Sequence, residues 1–300
     1  GSDSLKSVID KVKVVYGDIR EIDSIFPAIR EQEFIFHLAA ITQVLYSIKN
    51  PRETLETDVK GTFNILEAIR SNATDSFLVL ASTDKVYGEP KYLPIDEEHP
   101  LSAKSPYDAS KLAADRLVES YVNTYGVKSS ISRWSNTIGG RDSNILRAVP
   151  DFITSLLNSK SPTIRGNGKH IRDYMYVSDA VSGMMVLAEN KKKSNGEAFN
   201  IGTERPTSVF DLAKSIIKLM GFNDKFSPIV LNKSLHGEIE RQYLSCKKVK
   251  ETFKWEPKIS LEEGLSKTIE WYKNNVWWLS VMDRVSKFYN ITALTANSAK

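Results

Sequence analysis

The stretch FLVLASTDKVYG, residues Phe77–Gly88, decides the fold class. Its first five residues are uninterruptedly apolar, which is typical of a strand buried on both faces of a parallel sheet. Hydroxyl, carboxylate and amine side chains follow at once, at Thr83, Asp84 and Lys85. Because ligands of open α/β sheets bind beyond the carboxyl ends of the strands, the stretch predicts a core strand with a site at its tip. The alternative is a polar turn that caps a helix through Ser82 or Asp84.

Similar strand-like runs flank this stretch on both sides. Strands are predicted at 12–16, 33–38, 77–81, 128–134 and 197–202. Segments with helical spacing of apolar residues separate them, notably 51–70 and 106–125. Strands that alternate with helices predict an α/β fold with an open, doubly wound parallel sheet.

The pattern changes after about Gly139, where loops lengthen and helices are predicted at 149–157, 177–189, 208–220 and 261–272. We expect residues 1–140 to form the sheet domain, to which the strand near 197–202 returns. Residues 141–275 are expected to form a smaller, interleaved domain. The tail 276–300 contains aromatic residues at partly helical spacing and predicts a helix that packs back on the domain. Contact with a partner or a membrane surface is the alternative for this tail.

Composition excludes several classes of protein. The 300 residues are 41% hydrophobic and 26% charged, as in ordinary globular proteins. The formal net charge of +4 is too small and too evenly spread to indicate nucleic-acid binding. The single cysteine, Cys246, excludes an internal disulfide and a cysteine-built zinc site, and the four histidines lack metal-ligand spacing. No apolar run approaches the roughly 20 residues that a membrane helix needs, so we expect no membrane contact for the body of the chain and a cytoplasmic protein.

A tyrosine and a lysine lie four residues apart in Tyr107-Asp108-Ala109-Ser110-Lys111, at a predicted helix start. Residues i and i+4 share one face of a helix. A nearby ammonium group favours the phenolate form and would lower the pKa of the tyrosine from its usual value of about 10. Alone, this spacing is common and indicates little.

Taken together in order, these motifs resemble the extended short-chain dehydrogenase/reductases, specifically the nucleotide-sugar epimerases and dehydratases. The resemblance covers about residues 12–275. It is carried by Gly17-Asp18-Ile19, His37-Leu38-Ala39-Ala40, Ser82–Gly88, Tyr107–Lys111, Arg133-Trp134-Ser135-Asn136, Arg172-Asp173-Tyr174-Met175-Tyr176-Val177, Phe199-Asn200-Ile201-Gly202 and the ending Trp255-Glu256-Pro257 with Ser260–Leu265. It implies a Rossmann-like NAD-binding domain over residues 1–140 and a substrate-binding domain over residues 141–275.

The resemblance also implies roles for individual residues. Tyr107 would be the base at the sugar 4-hydroxyl, with Lys111 lowering its pKa and holding the nicotinamide ribose, and with Thr83 as its hydroxyl partner. The residues implied in NAD binding are Asp18, Ile19, Leu38, Ala39, Ala40, Tyr107 and Lys111. Those implied in binding the nucleotide-diphosphate sugar are Asn136, Arg172 and Arg241; a guanidinium fork suits phosphate geometry. A homodimer is implied, through a four-helix bundle of the helices at 51–70 and 107–125.

The pair Asp84-Lys85 bears on the reaction. A 4-epimerase only removes and returns a hydride at C4, whereas a 4,6-dehydratase also needs an acid for the C6 oxygen and a base for the C5 proton. Asp-Lys at these positions resembles CDP-glucose 4,6-dehydratases. Our hypothesis is therefore a 4,6-dehydratase that yields a 4-keto-6-deoxy sugar, in which Asp84 is the acid and Lys85, if neutral, is the base; these two roles could also be shared or exchanged. The alternatives are a 4-epimerase and a non-catalytic relative that lacks its cofactor loop.

Two features depart from the family pattern. The sequence contains no GxxGxxG loop, which in relatives cradles the cofactor pyrophosphate. In strand order 3-2-1-4-5-6 this leaves a gap between the strands at 12–16 and 33–38, so we expect the chain to be part of a longer natural protein and to bind NAD weakly by itself. The second departure is Asp58, where the family usually has asparagine; its negative charge could weaken cofactor binding.

Overall fold

The protein is described by a computed structural model that covers residue 5 and residues 7–72, 75–232 and 239–288. Its centre is a parallel sheet of four strands in the order β1-β2-β3-β8. These strands are β1 (Phe34–His37), β2 (Phe77–Thr83), β3 (Ser129–Trp134) and β8 (Ala198–Ile201). The predicted α/β fold with a parallel sheet is confirmed, and so is the return of a late strand to this sheet.

Helices cover both faces of the sheet, as its apolar strands require. Leu78 and Leu80 of β2 pack on one side with α1 (Ile22–Ile29), α4 (Gly61–Asn72) and α5 (Pro106–Tyr125). Their neighbours Phe77 and Val79 face the other way, against α7 (Val177–Glu189). Side chains therefore alternate across β2 while both of its faces are buried.

The segment 12–16 does not form the predicted strand, so this prediction is wrong. It has no regular secondary structure, and its apolar side chains are exposed, with Tyr16 at 88%. A strand forms only where a neighbour satisfies its backbone N–H and C=O groups. Among the described residues β1 has only β2 beside it, so nothing pairs with 12–16. Phe36 of β1 is also exposed.

The two helices that carry site residues follow their sequence signals. The predicted helix 51–70 appears as α3 (Pro51–Leu55), a π-helical turn (Glu56–Lys60) and α4. The predicted bounds of α5 are met at both ends. Its start is fixed by a capping box between Ser105 and Asp108, and its end by Gly126 in the left-handed conformation at φ +70°.

The second half of the chain builds a separate apolar core. The buried side chains of this core come mainly from α6 (Ala148–Leu157), α9 (Val209–Leu219) and α11 (Leu261–Asn274). The tail helix α12 (Trp278–Phe288) packs back on it through Trp278 and Met282, and residues 289–300 lie outside the described residues. Further short helices are α2 (Val44–Lys49), α8 (Lys191–Ser194) and α10 (Lys247–Phe253), with 3-10 turns at Ile9–Lys11 and Asp84–Tyr87. Short strands pair as β4 (Asn136–Ile138) with β7 (Tyr174–Tyr176), β5 (Thr163–Ile164) with β10 (Ile229–Val230), and β6 (Ile171–Arg172) with β9 (Thr207–Ser208).

No helix in the described part of the chain has both the length and the hydropathy that a bilayer-spanning segment requires.

Candidate active site

A cavity of about 740 Å³ opens at the carboxyl ends of the central strands. Its size lies within the range of ligand-binding clefts. Residues that follow β1, β2 and β3 line it together with residues of α5 and of the second half of the chain. The lining includes many of the residues predicted from sequence: Leu38, Ala40, Thr83, Asp84, Lys85, Tyr107, Lys111, Asn136 and Arg172. The sheet edge thus gathers most of the expected site.

Thr83, Asp84 and Lys85 form one hydrogen-bonded group where β2 ends. Thr83 Oγ1 accepts from the backbone N–H of Lys85 at 3.3 Å and so caps the 3-10 turn. Asp84 Oδ1 accepts from Thr83 Oγ1 and from Lys85 Nζ, each at 3.1 Å. Asp84 Oδ2 is buried and has no hydrogen-bond partner. An acid–amine couple therefore sits at the strand tip with one carboxyl oxygen unused.

Burial lowers the pKa of Lys85. Its side chain is 20% exposed, and loss of hydration penalises the ammonium form. The negative charge of Asp84 acts in the opposite direction, and the positive charge of Arg172 lowers the pKa further. Burial and the neighbouring cation thus both favour the neutral amine, whereas Asp84 favours the ammonium form.

Gln242 completes this group and was missed in the sequence. Its side-chain Oε1 accepts from Lys85 Nζ, and its Nε2 donates to the backbone oxygen of Asp84 at 2.8 Å. Its own N–H donates to the carbonyl of Ile171 at 3.0 Å, which places it beside β6. Gln242 is 157 residues from Lys85 along the chain, and no local pattern signals such a contact.

Tyr107 and Lys111 lie in the first turns of α5, and burial is the largest influence on the phenol. Lys111 Nζ donates to the carbonyl of Ala81 at 2.7 Å. Burial raises the pKa of Tyr107; Arg147 and a hydrogen bond with Thr83 act against that rise, while Asp58 adds to it. Desolvation therefore outweighs the nearby positive charges, and the lowering influence of Lys111 on this pKa stays a prediction. Thr83 does contact Tyr107 as predicted.

Asp58, the noted departure from the family pattern, is buried beside this helix. Its Oδ1 accepts from the backbone N–H of Ile41 and its Oδ2 from Ser110 Oγ, both at 2.7 Å. Burial raises the pKa of Asp58, and these two hydrogen bonds and Lys111 oppose that rise. The carboxyl group thus ties the loop after β1 to the face of α5 between Tyr107 and Lys111.

Four predicted binding residues lie outside the cavity lining. Asp18 forms a two-pronged ion pair with Arg20, and the Ile19 carbonyl accepts from Asn64 Nδ2 at 2.9 Å. Ala39 is exposed between two lining residues. Arg241 is exposed and forms a backbone bridge with Ile171. The structure therefore does not bring these side chains to the cavity.

The substrate-side residues that do line the cavity are held by backbone oxygens. Asn136 Nδ2 donates to the Asp173 carbonyl at 3.3 Å. The Arg172 guanidinium donates to the carbonyls of Ile171 and Ile239 at 2.8 and 2.6 Å. In the described ranges, no cluster of three or more His, Cys, Asp or Glu side chains could hold a metal ion.

Comparison with known proteins identifies the family. The model of the family described as GDP-mannose 4,6 dehydratase matches residues 2–268. A putative UDP-glucose 4-epimerase from Methanocaldococcus jannaschii is 37% identical over 88% of this chain and 85% of its own length. A dTDP-glucose 4,6-dehydratase from Mycolicibacterium smegmatis is 32% identical over 96% of this chain and 86% of its own.

Among solved structures, a double mutant of DesIV, a dTDP-glucose 4,6-dehydratase from Streptomyces venezuelae with NAD bound, superposes with a TM-score of 0.86 at 26% identity. The superposition covers 94% of this chain and 86% of that one. The sequence relatives and the solved structures therefore indicate the same family as the motifs did. The chain belongs to the GDP-mannose 4,6-dehydratase family, the NAD-dependent short-chain-dehydrogenase-type enzymes that act on nucleotide-diphosphate sugars as dehydratases and epimerases.

Proposed function

We propose that the chain is a nucleotide-sugar 4,6-dehydratase that converts an NDP-hexose to an NDP-4-keto-6-deoxyhexose. The observation that carries this proposal is the Asp84–Lys85 couple, which lines the same cavity as Thr83 and Tyr107. Elimination of water needs a base and an acid besides the residue that works at C4. A lysine with a lowered pKa and a buried carboxyl oxygen without a partner suit those two needs.

The residues present fit the nicotinamide side of NAD. Leu38 and Ala40 line the cavity after β1, and Lys111 points its ammonium group at the end of β2. The 300 residues contain no GxxGxxG loop for the pyrophosphate. When bound, NAD supplies the hydride acceptor for C4 and the hydride donor for C6.

The side chains then divide the proton transfers among them. Tyr107 takes the proton of the 4-hydroxyl as C4 is oxidised. The resulting ketone acidifies C5–H, and neutral Lys85 removes that proton. Asp84 gives a proton to the C6 oxygen, which leaves as water. Lys85 returns its proton to C5. A proton must then pass from Tyr107 back to Asp84, which restores both groups, so that the net change is the loss of one water.

A 4-epimerase is the second candidate, favoured by the likeness to the Methanocaldococcus jannaschii protein named as a putative UDP-glucose 4-epimerase. In that case Tyr107 would work at C4, and Asp84-Lys85 would only support the structure. The products separate the two functions, because dehydration removes one water and leaves a 4-ketone, whereas epimerisation changes neither mass nor oxidation state.

The test incubates the protein with NAD⁺ and with CDP-, dTDP-, UDP- or GDP-glucose in turn, and follows products by mass spectrometry. We expect loss of one water from at least one of these sugars. Lys85→Met should abolish the loss of water while C4 oxidation remains measurable, and Lys104→Met, at an exposed loop position, should change neither. Undiminished dehydration by Lys85→Met would refute the assignment. Because this chain is expected to bind NAD weakly by itself, calorimetric titration with NAD⁺ comes first, and turnover is measured at saturating NAD⁺. Binding of NAD⁺ and of a nucleotide sugar without any turnover would favour the non-catalytic alternative.

We also propose that the protein works as a homodimer through a four-helix bundle, to which each copy contributes the helical segment from α3 to α4 and the helix α5. The helices α4 and α5 pack against each other and leave Phe63 and Tyr125 exposed, and Leu55 of the preceding α3 is exposed as well. Light scattering should show a dimer for the unmodified chain and a monomer for Phe63→Glu. Val181→Glu, at an exposed apolar position on α7, is the matched control. A monomeric unmodified chain would overturn the proposal.

A further inference from the structure

Gln242 has no part in the chemistry proposed above, yet it contacts both members of the acid–amine couple. Its side chain is fully buried. One end of its amide accepts from Lys85 Nζ, and the other end donates to the backbone oxygen of Asp84. Because the backbone oxygen of Asp84 can only accept, the amide nitrogen must face it, which turns the amide oxygen toward Lys85 Nζ.

We propose that Gln242 is a positioning residue that aims the lone pair of neutral Lys85 at the substrate, an inference that rests on the proposed dehydratase function. A tetrahedral amine nitrogen has three positions besides its bond to carbon. Two of them are taken by acceptors, the Oε1 of Gln242 and the Oδ1 of Asp84, the latter at 3.1 Å. Each acceptor needs an N–H, and a neutral amine has only two. The lone pair is therefore left in the third position, and Lys85 lines the cavity that would hold the substrate.

The neutrality of the amide matters as much as its geometry. The charged groups that act on Lys85 are Asp84 and Asp108, which favour the ammonium form, and Arg172, which disfavours it. Arg172 and Gln242 are held by the same segment, since both hydrogen-bond to the carbonyl of Ile171. An amide at position 242 orients Lys85 without adding negative charge, whereas a carboxylate there would hold the proton on the amine.

Gln242→Glu tests the electrostatic part, because it preserves size and introduces one negative charge. The pKa of Lys85 is measured on the unliganded chain by competitive labelling with acetic anhydride across pH, read from the mass spectrum of the peptide that contains Lys85. We expect the labelling midpoint to rise by about one pH unit or more. Gln32→Glu, the same change at an exposed position, should leave it unmoved. An unchanged midpoint in a Gln242→Glu variant with a native circular dichroism spectrum would overturn the proposal.

Gln242→Met tests the geometric part, because it preserves volume and removes both hydrogen bonds. With NAD⁺ and the nucleotide sugar that the unmodified protein dehydrates, we expect kcat for loss of water to fall about 10- to 100-fold, as for a misplaced catalytic group. KM and the rate of C4 oxidation should stay close to those of the unmodified protein. A raised KM with unchanged kcat would contradict a positioning role. If no nucleotide sugar is turned over, the proposed function fails, while the labelling experiment still decides the role of Gln242.

Discussion

Replacing Arg133 by methionine should destabilise the protein strongly, because it leaves a buried carboxylate without its ion-pair partner. Arg133 of β3 donates through Nε to Asp115 Oδ2 of α5 at 2.9 Å, and the two side chains are only 4% and 1% exposed. Breaking such a pair by removing one partner costs about 3–5 kcal/mol, since the remaining buried charge loses its directly bonded partner. Lys111 also acts on Asp115, but no hydrogen bond joins the two side chains. Tyr87 loses a contact with Arg133 Nη1 but still donates to Asn200 Oδ1 at 2.7 Å, so that loss adds little.

The double variant Arg133→Met/Asp115→Asn also removes the charge of the buried carboxylate, so its comparison with Arg133→Met measures what that unpaired charge costs. We expect it to recover about 2 kcal/mol or more of the single variant's loss in the free energy of unfolding, because a buried amide costs less than a buried carboxylate. Urea titration followed by tryptophan fluorescence measures both variants. Arg116→Met breaks an exposed pair with Glu119 on the same helix and should cost less than about 1 kcal/mol. A double variant no more stable than Arg133→Met would refute the reasoning.

Two further predictions concern the frame of the site. Gly88 has φ +65°, and a Cβ there would lie 1.9 Å from the backbone oxygen of Ser102. Gly88→Ala should therefore lower the free energy of unfolding by at least about 2 kcal/mol. An unchanged urea midpoint would contradict this. Hydrogen bonds from Arg70 and Tyr121 lower the pKa of Glu67 to about 2. A lowered carboxyl pKa stabilises the fold above the unfolded-state pKa, near 4.5, and that contribution is lost as pH falls toward about 2. Glu67→Gln should therefore be less stable than the unmodified chain at pH 6, and the difference should shrink to about half or less at pH 3, where the folded-state carboxyl of Glu67 is still largely ionised. Urea unfolding at both pH values measures this; a difference independent of pH would count against it.

The elements that sequence predicted well are those whose signals are local. Apolar runs predicted β2 and β3, and the helical spacing of apolar residues predicted α5. In the structure α5 begins at Pro106 and ends before Gly126, where proline and glycine act on the backbone at their own positions. The tip of β2 was found for the same reason, since its polar residues follow the strand directly. The segment 12–16 has an equally apolar pattern, but pairing depends on a neighbouring strand, which its own residues do not encode.

The parts of the site that sequence could not supply depend on distance and burial. Gln242 reaches Lys85 only because the chain returns beside β6, and no periodicity encodes that approach. The sign of the pKa shift at Tyr107 was predicted from the spacing to Lys111 alone. The sequence does not reveal how deeply the phenol is buried, and burial is the larger influence. Asp18 was expected at the cofactor, but Arg20 is close enough to engage its carboxylate.

Burial acts in opposite directions on the two groups that the proposed reaction uses as bases. Desolvation disfavours whichever form carries charge, so it raises the pKa of Tyr107 and lowers that of Lys85. Burial in the same cavity therefore favours the neutral amine of Lys85, which can accept a proton, and the protonated phenol of Tyr107, which cannot. In the proposed reaction, proton transfer at C4 needs added positive charge beside Tyr107 to lower the pKa of its phenol. Proton transfer at C5 needs only that the lone pair of Lys85 points toward the substrate. That difference explains why the structure surrounds Lys85 with hydrogen-bond acceptors that fix its direction, and why a neutral amide serves there better than a second carboxylate.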